Sequence, residues 1–241
     1  MVSMFIKAAR NGTVQIVQDY INSGADLNVR EEYGWTALHS ASKWGKTGCL
    51  SLLIGAGADL NVQHEKYGWT AIHLTSQWDK TVCLSLLIKA GADYDVQTKV
   101  GQTALHLVSW KGKTECVKLL IAAGADLNIL EEDGYTALHL ASCNGKTECV
   151  KLLIKAGADL NIRTTKEWLN YKAGNQAIDI AREQQHAEIV KLLLESIMTT
   201  KIQSLLRMYL KRKDYLEILS LKPNGSGYLK VKAEFESLAS R

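Results

Sequence analysis

Four histidines recur along the chain at a nearly constant spacing, and histidine serves both metal binding and proton transfer near neutral pH. They are His39, His73, His106 and His139, separated by 34, 33 and 33 residues. Equivalent positions of stacked helical units lie about one helix diameter apart, roughly 8–10 Å. A zinc ion needs its nitrogen ligands about 2 Å away, so these imidazoles cannot share one metal. We predict no metal site here and a structural role in which each histidine hydrogen-bonds a turn.

Cysteines follow the same period, at Cys49, Cys83, Cys116 and Cys149. A disulfide needs Cα atoms within about 7 Å, which is less than the spacing between units, so we predict small core residues. The fifth cysteine, Cys143, is out of phase. It is predicted to lie on the solvent side of a helix, and it is the one conspicuous nucleophile if the protein were an enzyme. Five thiols and no apolar leader favour a reducing compartment, cytoplasmic or nuclear, or the interior of a host cell for a secreted effector.

Three Gly-Lys-Thr strings resemble the end of a phosphate-binding loop. That loop requires a further glycine five residues before the string, where this chain has Ser40, Leu107 and Leu140. The strings begin at Gly45, Gly112 and Gly145, in step with the histidine period. We therefore assign them to the repeat, and we predict neither catalytic residues nor a cofactor.

Composition places the chain among ordinary globular proteins. Its 241 residues are 46% hydrophobic and 22% charged, and the formal net charge is +4. This charge is too small to indicate a nucleic-acid partner, and no window approaches the roughly 20 apolar residues of a transmembrane segment. The basic character is concentrated in residues 196–241, which hold nine Lys or Arg against four Asp or Glu.

A repeat of about 33 residues explains these periodic residues. Strings of the form Gly-x-Thr-Ala-Leu/Ile-His begin at Gly34, Gly68, Gly101 and Gly134, and Gly-Ala-Asp strings begin at Gly24, Gly57, Gly91, Gly124 and Gly157. Over about residues 5–195 the chain resembles the ankyrin-repeat family, whose units are helix–turn–helix elements joined by hairpin-like loops. One unit cannot bury its own apolar face, so the units must stack. We predict an all-α ankyrin-repeat solenoid with a helical C-terminal extension.

The predicted domain has six units, followed by a basic extension over residues 196–241. Asp19 replaces a leucine of the other units, which gives the first unit a polar outer face. Between the last two units the period is 40 residues instead of 33, and the extra residues lie within 163–173. This insertion carries Trp168 and either extends a binding surface or packs back on the last unit. The units span about residues 1–32, 33–66, 67–99, 100–132, 133–167 and 168–195.

The family resemblance implies a partner surface formed by the loop tips and the exposed side of the first helices. Five of the six tryptophans fall at such positions, and aromatic side chains are enriched among interface hot spots. Lysines at 43, 66, 99 and 111 interleave with them. We therefore predict an adaptor, scaffold or targeting module that binds a protein or an extended peptide with acidic residues, although these aromatics could instead stack on one another. The predicted contact residues are Tyr33, Trp35, Lys43, Trp44, Tyr67, Trp69, Trp78, Gln102, Trp110, Lys111, Tyr135 and Asn144.

Two more specific partners are alternatives. One is a methylated lysine held by cation–π contacts in a cage of Trp69, Trp78 and Trp110 with Asp79 nearby. The other is calmodulin, because the extension resembles an IQ motif with Met208 where that motif usually has glycine. The extension could instead cover the apolar edge of the last unit, or contact a membrane or nucleic acid. The residues matching the IQ motif are Ile202, Gln203, Arg207 and Arg212.

Overall fold

The structure, a computed structural model, describes residues 2–166 and 173–211, with side chains in the second range described as far as residue 204. Within these residues the elements are twelve α-helices without a β-strand, which confirms the predicted all-α repeat solenoid. None of these helices combines the length and the apolar character needed to span a bilayer. The helices are α1 (Val2–Asn11), α2 (Val14–Asn22), α3 (Ala37–Trp44), α4 (Thr47–Gly55), α5 (Ala71–Gln77), α6 (Thr81–Lys89), α7 (Ala104–Lys111), α8 (Thr114–Ala123), α9 (Ala137–Cys143), α10 (Thr147–Ala156), α11 (Ala177–Glu183) and α12 (Ala187–Lys211).

The helices form two parallel rows. The first helices of the units, α1, α3, α5, α7, α9 and α11, pack side by side, and the second helices from α2 to α10 form the other row. The periodic cysteines of α4, α6, α8 and α10 are fully buried, which confirms them as core residues. Burial raises the pKa of each of these four thiols. Asp19 is exposed, as the predicted polar face of the first unit requires.

Each motif histidine helps to begin a first helix. Thr36 precedes α3, its backbone N–H donates to Nδ1 of His39 at 3.2 Å, and the His39 backbone N–H donates to the Thr36 hydroxyl at 3.3 Å. This reciprocal capping box satisfies two donors that a helix N-terminus otherwise leaves unpaired. The same arrangement begins α5, α7 and α9. In α11, Gln176 and Asp179 take the two positions, and the Gln176 backbone N–H donates to the Asp179 carboxylate at 3.0 Å.

The same histidines also join neighbouring units. Nε2 of each ring donates to a backbone carbonyl of the next loop at 3.0–3.1 Å, and the acceptors are Trp69, Gln102, Tyr135 and Ile162 in turn. The predicted structural role of the four histidines is therefore confirmed. Burial lowers the pKa of each ring to about 4, so the imidazoles are neutral at pH 7.

A glycine follows the second helices of the other units. The last helix is longer because no glycine stands at the equivalent position. Gly124 and Gly157 follow α8 and α10 with φ angles of 95° and 91°, a left-handed conformation that glycine adopts without steric cost. Ile197 occupies the equivalent position in the last unit, so α12 continues to Lys211. The predicted extension helix is thus part of α12. The chain divides into two compact units, residues 1–189 and 190–241; this division and the predicted start of the extension at residue 196 both fall within α12.

Both ends of the insertion are held by hydrogen bonds. A guanidinium nitrogen of Arg163 donates to the carbonyl of Gly174 at 2.6 Å, and the Thr164 backbone N–H donates to the carbonyl of Asn175 at 3.0 Å. The Thr165 backbone N–H donates to the carbonyl of Asp133 at 3.3 Å, which ties the insertion to the preceding loop. Residues 167–172, including Trp168, lie outside the described residues, so the two predicted alternatives for this insertion stay open.

Candidate partner-binding face

The largest exposed side chains of the repeat domain include three of the predicted tryptophans. Trp44, Trp78 and Trp110 are 47%, 49% and 42% exposed and lie at or next to the C-terminal ends of α3, α5 and α7. Tyr33 and Tyr67, at the tips of two successive loops, are also exposed. Exposed aromatic side chains at one edge of a row of helices are typical of a contact surface. Lys43, Gln102, Lys111 and Asn144, also predicted as contacts, are partly exposed.

Two of these tryptophans alternate with cationic side chains. The guanidinium carbon of Arg10 lies 5.1 Å from the centroid of the Trp44 ring. Nζ of Lys43 lies 5.9 Å from the same ring and 5.6 Å from the ring of Trp78. We call Arg10, Trp44, Lys43 and Trp78 the cation–indole row. Such exposed contacts contribute only about 0.5–1 kcal/mol each, so packing alone gives little reason for large rings here.

The row follows from the repeat. Trp44 and Trp78 each stand one residue before the turn that joins the two helices of a unit, and Lys43 stands two residues before it. Like Lys43, Arg10 stands two residues before a turn glycine, Gly12, although the first unit lacks the Gly-x-Thr-Ala-Leu-His string. The sequence prediction missed Arg10 for this reason, and counting back from the turn glycine would have found it.

The loop tryptophans Trp35 and Trp69 pack against histidines. Trp35 is half-buried, and its ring centroid lies 4.0 Å from that of His64 and 5.4 Å from that of His39. Trp69 is half-buried beside His73, with 6.3 Å between ring centroids. Both rings expose only part of their surface and pack on histidines, and their role in partner contact stays a prediction.

His64 was not predicted, although it joins two neighbouring loops. Nε2 of its ring donates to the carbonyl of Tyr33 at 2.6 Å, and Nδ1 accepts the backbone N–H of Lys66 at 3.2 Å. The ring also stacks on Tyr67, with 5.0 Å between centroids. Its position in the loop, out of phase with the four motif histidines, was the available signal.

The side chains of Tyr135 and Cys143 are less exposed than the sequence predicted. Tyr135 was predicted to contact a partner, but it is 1% exposed and packs with Leu140 and Ile180. Burial raises the pKa of its phenol to about 12. Cys143 was predicted on the solvent side of its helix, but it is half-buried and packs against this cluster. Ile180 of the last unit completes the buried cluster that both side chains contact.

The cation–indole row borders a groove of about 230 Å³ near the N-terminal end of the repeat domain. Its walls combine aromatic and basic side chains, with Glu31 as the acidic member and with Ile6 and Leu74 as apolar members. We call this the basic groove. Its cationic and aromatic residues are Lys7, Arg10, Lys43, Tyr33, Trp35 and Trp44.

A second cavity, of about 180 Å³, lies between the fourth and fifth units. We call it the acidic pocket. Glu131 accepts the backbone N–H groups of Asp133 and Tyr135 at 3.0 and 3.1 Å, and burial raises its pKa. The pocket is lined by Val100, Gln102, Trp110, Glu131, Glu132, Asp133, Tyr135 and Leu140.

The residues of the two alternative sites have different surroundings. Of the proposed cage, Trp78 lies under Lys43, Trp110 lines the acidic pocket, and the Asp79 carboxylate pairs with Lys113 at 3.0 Å. In the IQ-like segment, Ile202 and Gln203 are exposed and Arg207 lies on α12. Arg212 lies outside the described residues. Among residues 2–166 and 173–211, no group of His, Cys, Asp or Glu side chains is arranged to hold a metal ion.

Stacked helix–turn–helix units with an exposed edge of aromatic side chains define a helical repeat protein of the interaction type. The family model described as ankyrin repeats, in three copies, matches residues 5–98, 76–164 and 105–204. The chain therefore belongs to the ankyrin-repeat family, and its repeats form a protein–protein interaction module.

Curated relatives share short stretches with the chain. It is 43% identical over 58 residues to the 2-5A-dependent ribonuclease of Mus musculus, covering 24% of this chain and 8% of that protein. It is 44% identical over 59 residues to ankyrin repeat domain-containing protein 29 of Danio rerio, covering 24% and 20%. Identity to protein phosphatase 1 regulatory subunit 12A of Mus musculus is 34% over 53 residues, covering 22% and 5%. Each alignment spans well under a third of the relative's length.

Proposed function

We propose that the protein is a non-catalytic adaptor that binds an extended acidic peptide segment of a partner protein along the exposed ends of its first helices. The cation–indole row carries this proposal, because it exposes two large rings and two cations side by side. Tryptophan and arginine are the side chains most enriched among binding hot spots.

The positive charge around the basic groove favours an acidic peptide segment of the partner. Arg10 and Lys43 of the row and Lys7 beside it surround the basic groove, where Glu31 is the one acidic wall residue. A carboxylate of the partner would approach Arg10 and Lys43, while apolar atoms of the same segment would cover the rings of Trp44 and Trp78. An acidic segment therefore gains from both kinds of contact.

Selection from a displayed library of random peptides tests the proposal. We expect the intact protein to enrich peptides with Asp or Glu near an apolar residue. A Trp44→Ala/Trp78→Ala variant should bind the enriched peptides at least about tenfold more weakly, the equivalent of about 1.4 kcal/mol. The Arg10→Gln/Lys43→Gln variant should lose more affinity for the acidic peptides than for the same peptides with Asn and Gln in place of Asp and Glu.

Val82 provides the matched control, because it is an exposed apolar residue on the second-helix row. Val82→Ala should leave peptide binding unchanged. If the enriched peptides bind the double tryptophan variant as tightly as the intact protein, the proposed face is wrong. Unfolding by urea, measured for every variant, separates lost contacts from lost structure.

The five thiols support a reducing compartment as the place of this activity, either the cytoplasm or the nucleus. Four of them are buried in the helical core with raised pKa values, which suits cysteines that act as small apolar residues. Chemical labelling of thiols in the native protein purified under oxidising and reducing conditions tests this, because a disulfide in the native cellular form would contradict it.

A further inference from the structure

The acidic pocket faces the same edge of the repeat domain but carries the opposite charge to the basic groove. We propose that it binds a cationic side chain, arginine or lysine, of the partner segment. This inference rests on the proposed function, because the occupant belongs to the segment that lies along the cation–indole row. It adds a second charge requirement, of opposite sign, to that segment.

The walls of the pocket suit the two parts of such a side chain. Trp110 is 42% exposed, and Val100 is exposed beside it, so a methylene stem can pack on these two side chains. A guanidinium or ammonium group over an indole face gains a cation–π contact as well. Tyr135 and Leu140 are buried and close the inner side of the pocket.

The carboxylates supply the charge. Glu131 is occupied with the turn, since its side chain accepts two backbone N–H groups of its own loop. Glu132 is exposed and Asp133 is partly exposed, and within the described residues both pair with the same cation, Lys166. Nζ of Lys166 lies 3.5 Å from Glu132 and 4.0 Å from Asp133, with both partners partly exposed. Exposed pairs of this kind contribute at most about 1 kcal/mol, so a partner cation can displace Lys166.

The position of the pocket sets a spacing. Trp110 of the acidic pocket occupies the same repeat position as Arg10 and Lys43 of the basic groove, three and two repeat steps away. At roughly 8–10 Å per step these distances are about 16–30 Å. An extended chain advances about 3.3–3.6 Å per residue, so the acidic and the cationic residue of the segment should be about five to nine residues apart.

Titration of the isotope-labelled full chain with three capped tripeptides tests the pocket by NMR. The probes are acetyl-Gly-Arg-Gly-amide, its lysine counterpart and the neutral acetyl-Gly-Gln-Gly-amide. We expect the indole N–H signal of Trp110, assigned with Trp110→Phe, to shift with both cationic probes and at least about fivefold less with the glutamine probe. Glu132→Gln/Asp133→Asn should reduce the response to the cationic probes at least about fivefold. Lys166→Gln should strengthen it.

Glu115 and Glu148 provide the matched control, because they are exposed carboxylates on second helices. Glu115→Gln/Glu148→Gln should leave the Trp110 response unchanged. Equal responses to the cationic and neutral probes, or an unchanged response in the Glu132/Asp133 variant, would overturn the inference. The acidic probe acetyl-Gly-Glu-Gly-amide separates the two proposals, because a shift of the Trp44 signal with this probe tests the cation–indole row alone.

Discussion

The carboxylate of Asp79 lies 3.0 Å from Nζ of Lys113, at a turn where the equivalent residue of the neighbouring units is glycine. In those units the lysine stem lies directly over the glycine, as Lys80 does over Gly45 and Lys146 over Gly112. At the third unit an ion pair between neighbouring units thus replaces a close packing contact. Asp79 also has a φ of 55°, a left-handed conformation in which aspartate is tolerated better than most residues.

Substitutions of Asp79 should separate these two effects. Asp79→Gly removes the ion pair and also the backbone strain, each about 1 kcal/mol or less, so we expect little net change in the free energy of unfolding. Asp79→Ala removes the ion pair and keeps the strain, so we expect a loss of about 1–2 kcal/mol. Urea unfolding at neutral pH measures both. Equal losses for the two variants would contradict this account.

Gly101 should tolerate substitution less well than Gly57. Both have positive φ, so both pay the cost of placing alanine in the left-handed region. A Cβ at Gly101 would also come within 2.9 Å of the Glu131 Cα and the Glu132 backbone nitrogen, whereas Gly57 has open space. We expect Gly101→Ala to cost at least about 1 kcal/mol more than Gly57→Ala in the free energy of unfolding. Equal costs would show that neighbouring loops can separate without penalty.

The two kinds of tryptophan should differ in their effect on stability. Trp35 packs on His64, so Trp35→Ala should lower the free energy of unfolding by about 2–4 kcal/mol. Trp44 is largely exposed, and Trp44→Ala should cost about 1 kcal/mol or less. Thermal or urea unfolding of the two variants gives the comparison. A cost for Trp44→Ala equal to that of Trp35→Ala would assign the cation–indole row to folding rather than to binding.

Acid should destabilise the repeat domain through the four motif histidines. Each has a pKa of about 4 in the folded chain, below its ordinary value of 6.5. Between these values the unfolded chain binds more protons, so their contribution is complete above about pH 6.5 and is lost as the pH falls toward 4. We expect a loss of about 1 kcal/mol per histidine between about pH 7.5 and about pH 5.5.

One replaced histidine provides the check on this pH dependence. Glutamine can serve at the third helical position of a capping box, so His106→Gln should keep the cap while removing one titrating ring. The variant should be less stable at about pH 7.5 and should lose about a quarter less stability on acidification. A free energy of unfolding that is constant over this range would contradict the assignment.

The repeat, its helices and the roles of its periodic residues could be predicted from the sequence because each recurs with the same neighbours. His106 and Cys116 are examples, since one interpretation had to fit all four copies. Positions whose surroundings differ between copies could not be predicted in this way. Tyr135 packs with Ile180 across the insertion, so the two residues are farther apart in sequence than the equivalent pairs of the other units, and an argument based on a constant period does not pair them.

The charged residues of the candidate site show a second reason why part of this site could not be predicted from the sequence. Lys43 and Trp44 were predicted as separate contacts, but the alternation of cations and rings depends on which side chains of neighbouring helices overlap. The acidic pocket similarly needs Trp110 of α7 and the loop before α9 in one place. By contrast, the continuation of α12 past residue 197 was readable from the sequence, since Ile197 stands where a glycine ends the other second helices.

The hydrogen bonds from the motif histidines also make the two ends of the array unequal. The rings of His39, His73 and His106 each donate to a carbonyl of the next unit along the chain, and the ring of His139 donates to Ile162, in the loop that follows the helices of its own unit. An N-terminal deletion that removes a donor ring leaves a backbone carbonyl acceptor at the new end, whereas a C-terminal deletion that removes an acceptor loop leaves an imidazole N–H donor there. In the last unit Asp179 takes the place of the ring, and its carboxylate accepts the Gln176 backbone N–H and pairs with Arg182 of the same helix. The two ends of a shortened array would therefore present different hydrogen-bonding groups, an acceptor at the front and a donor at the back.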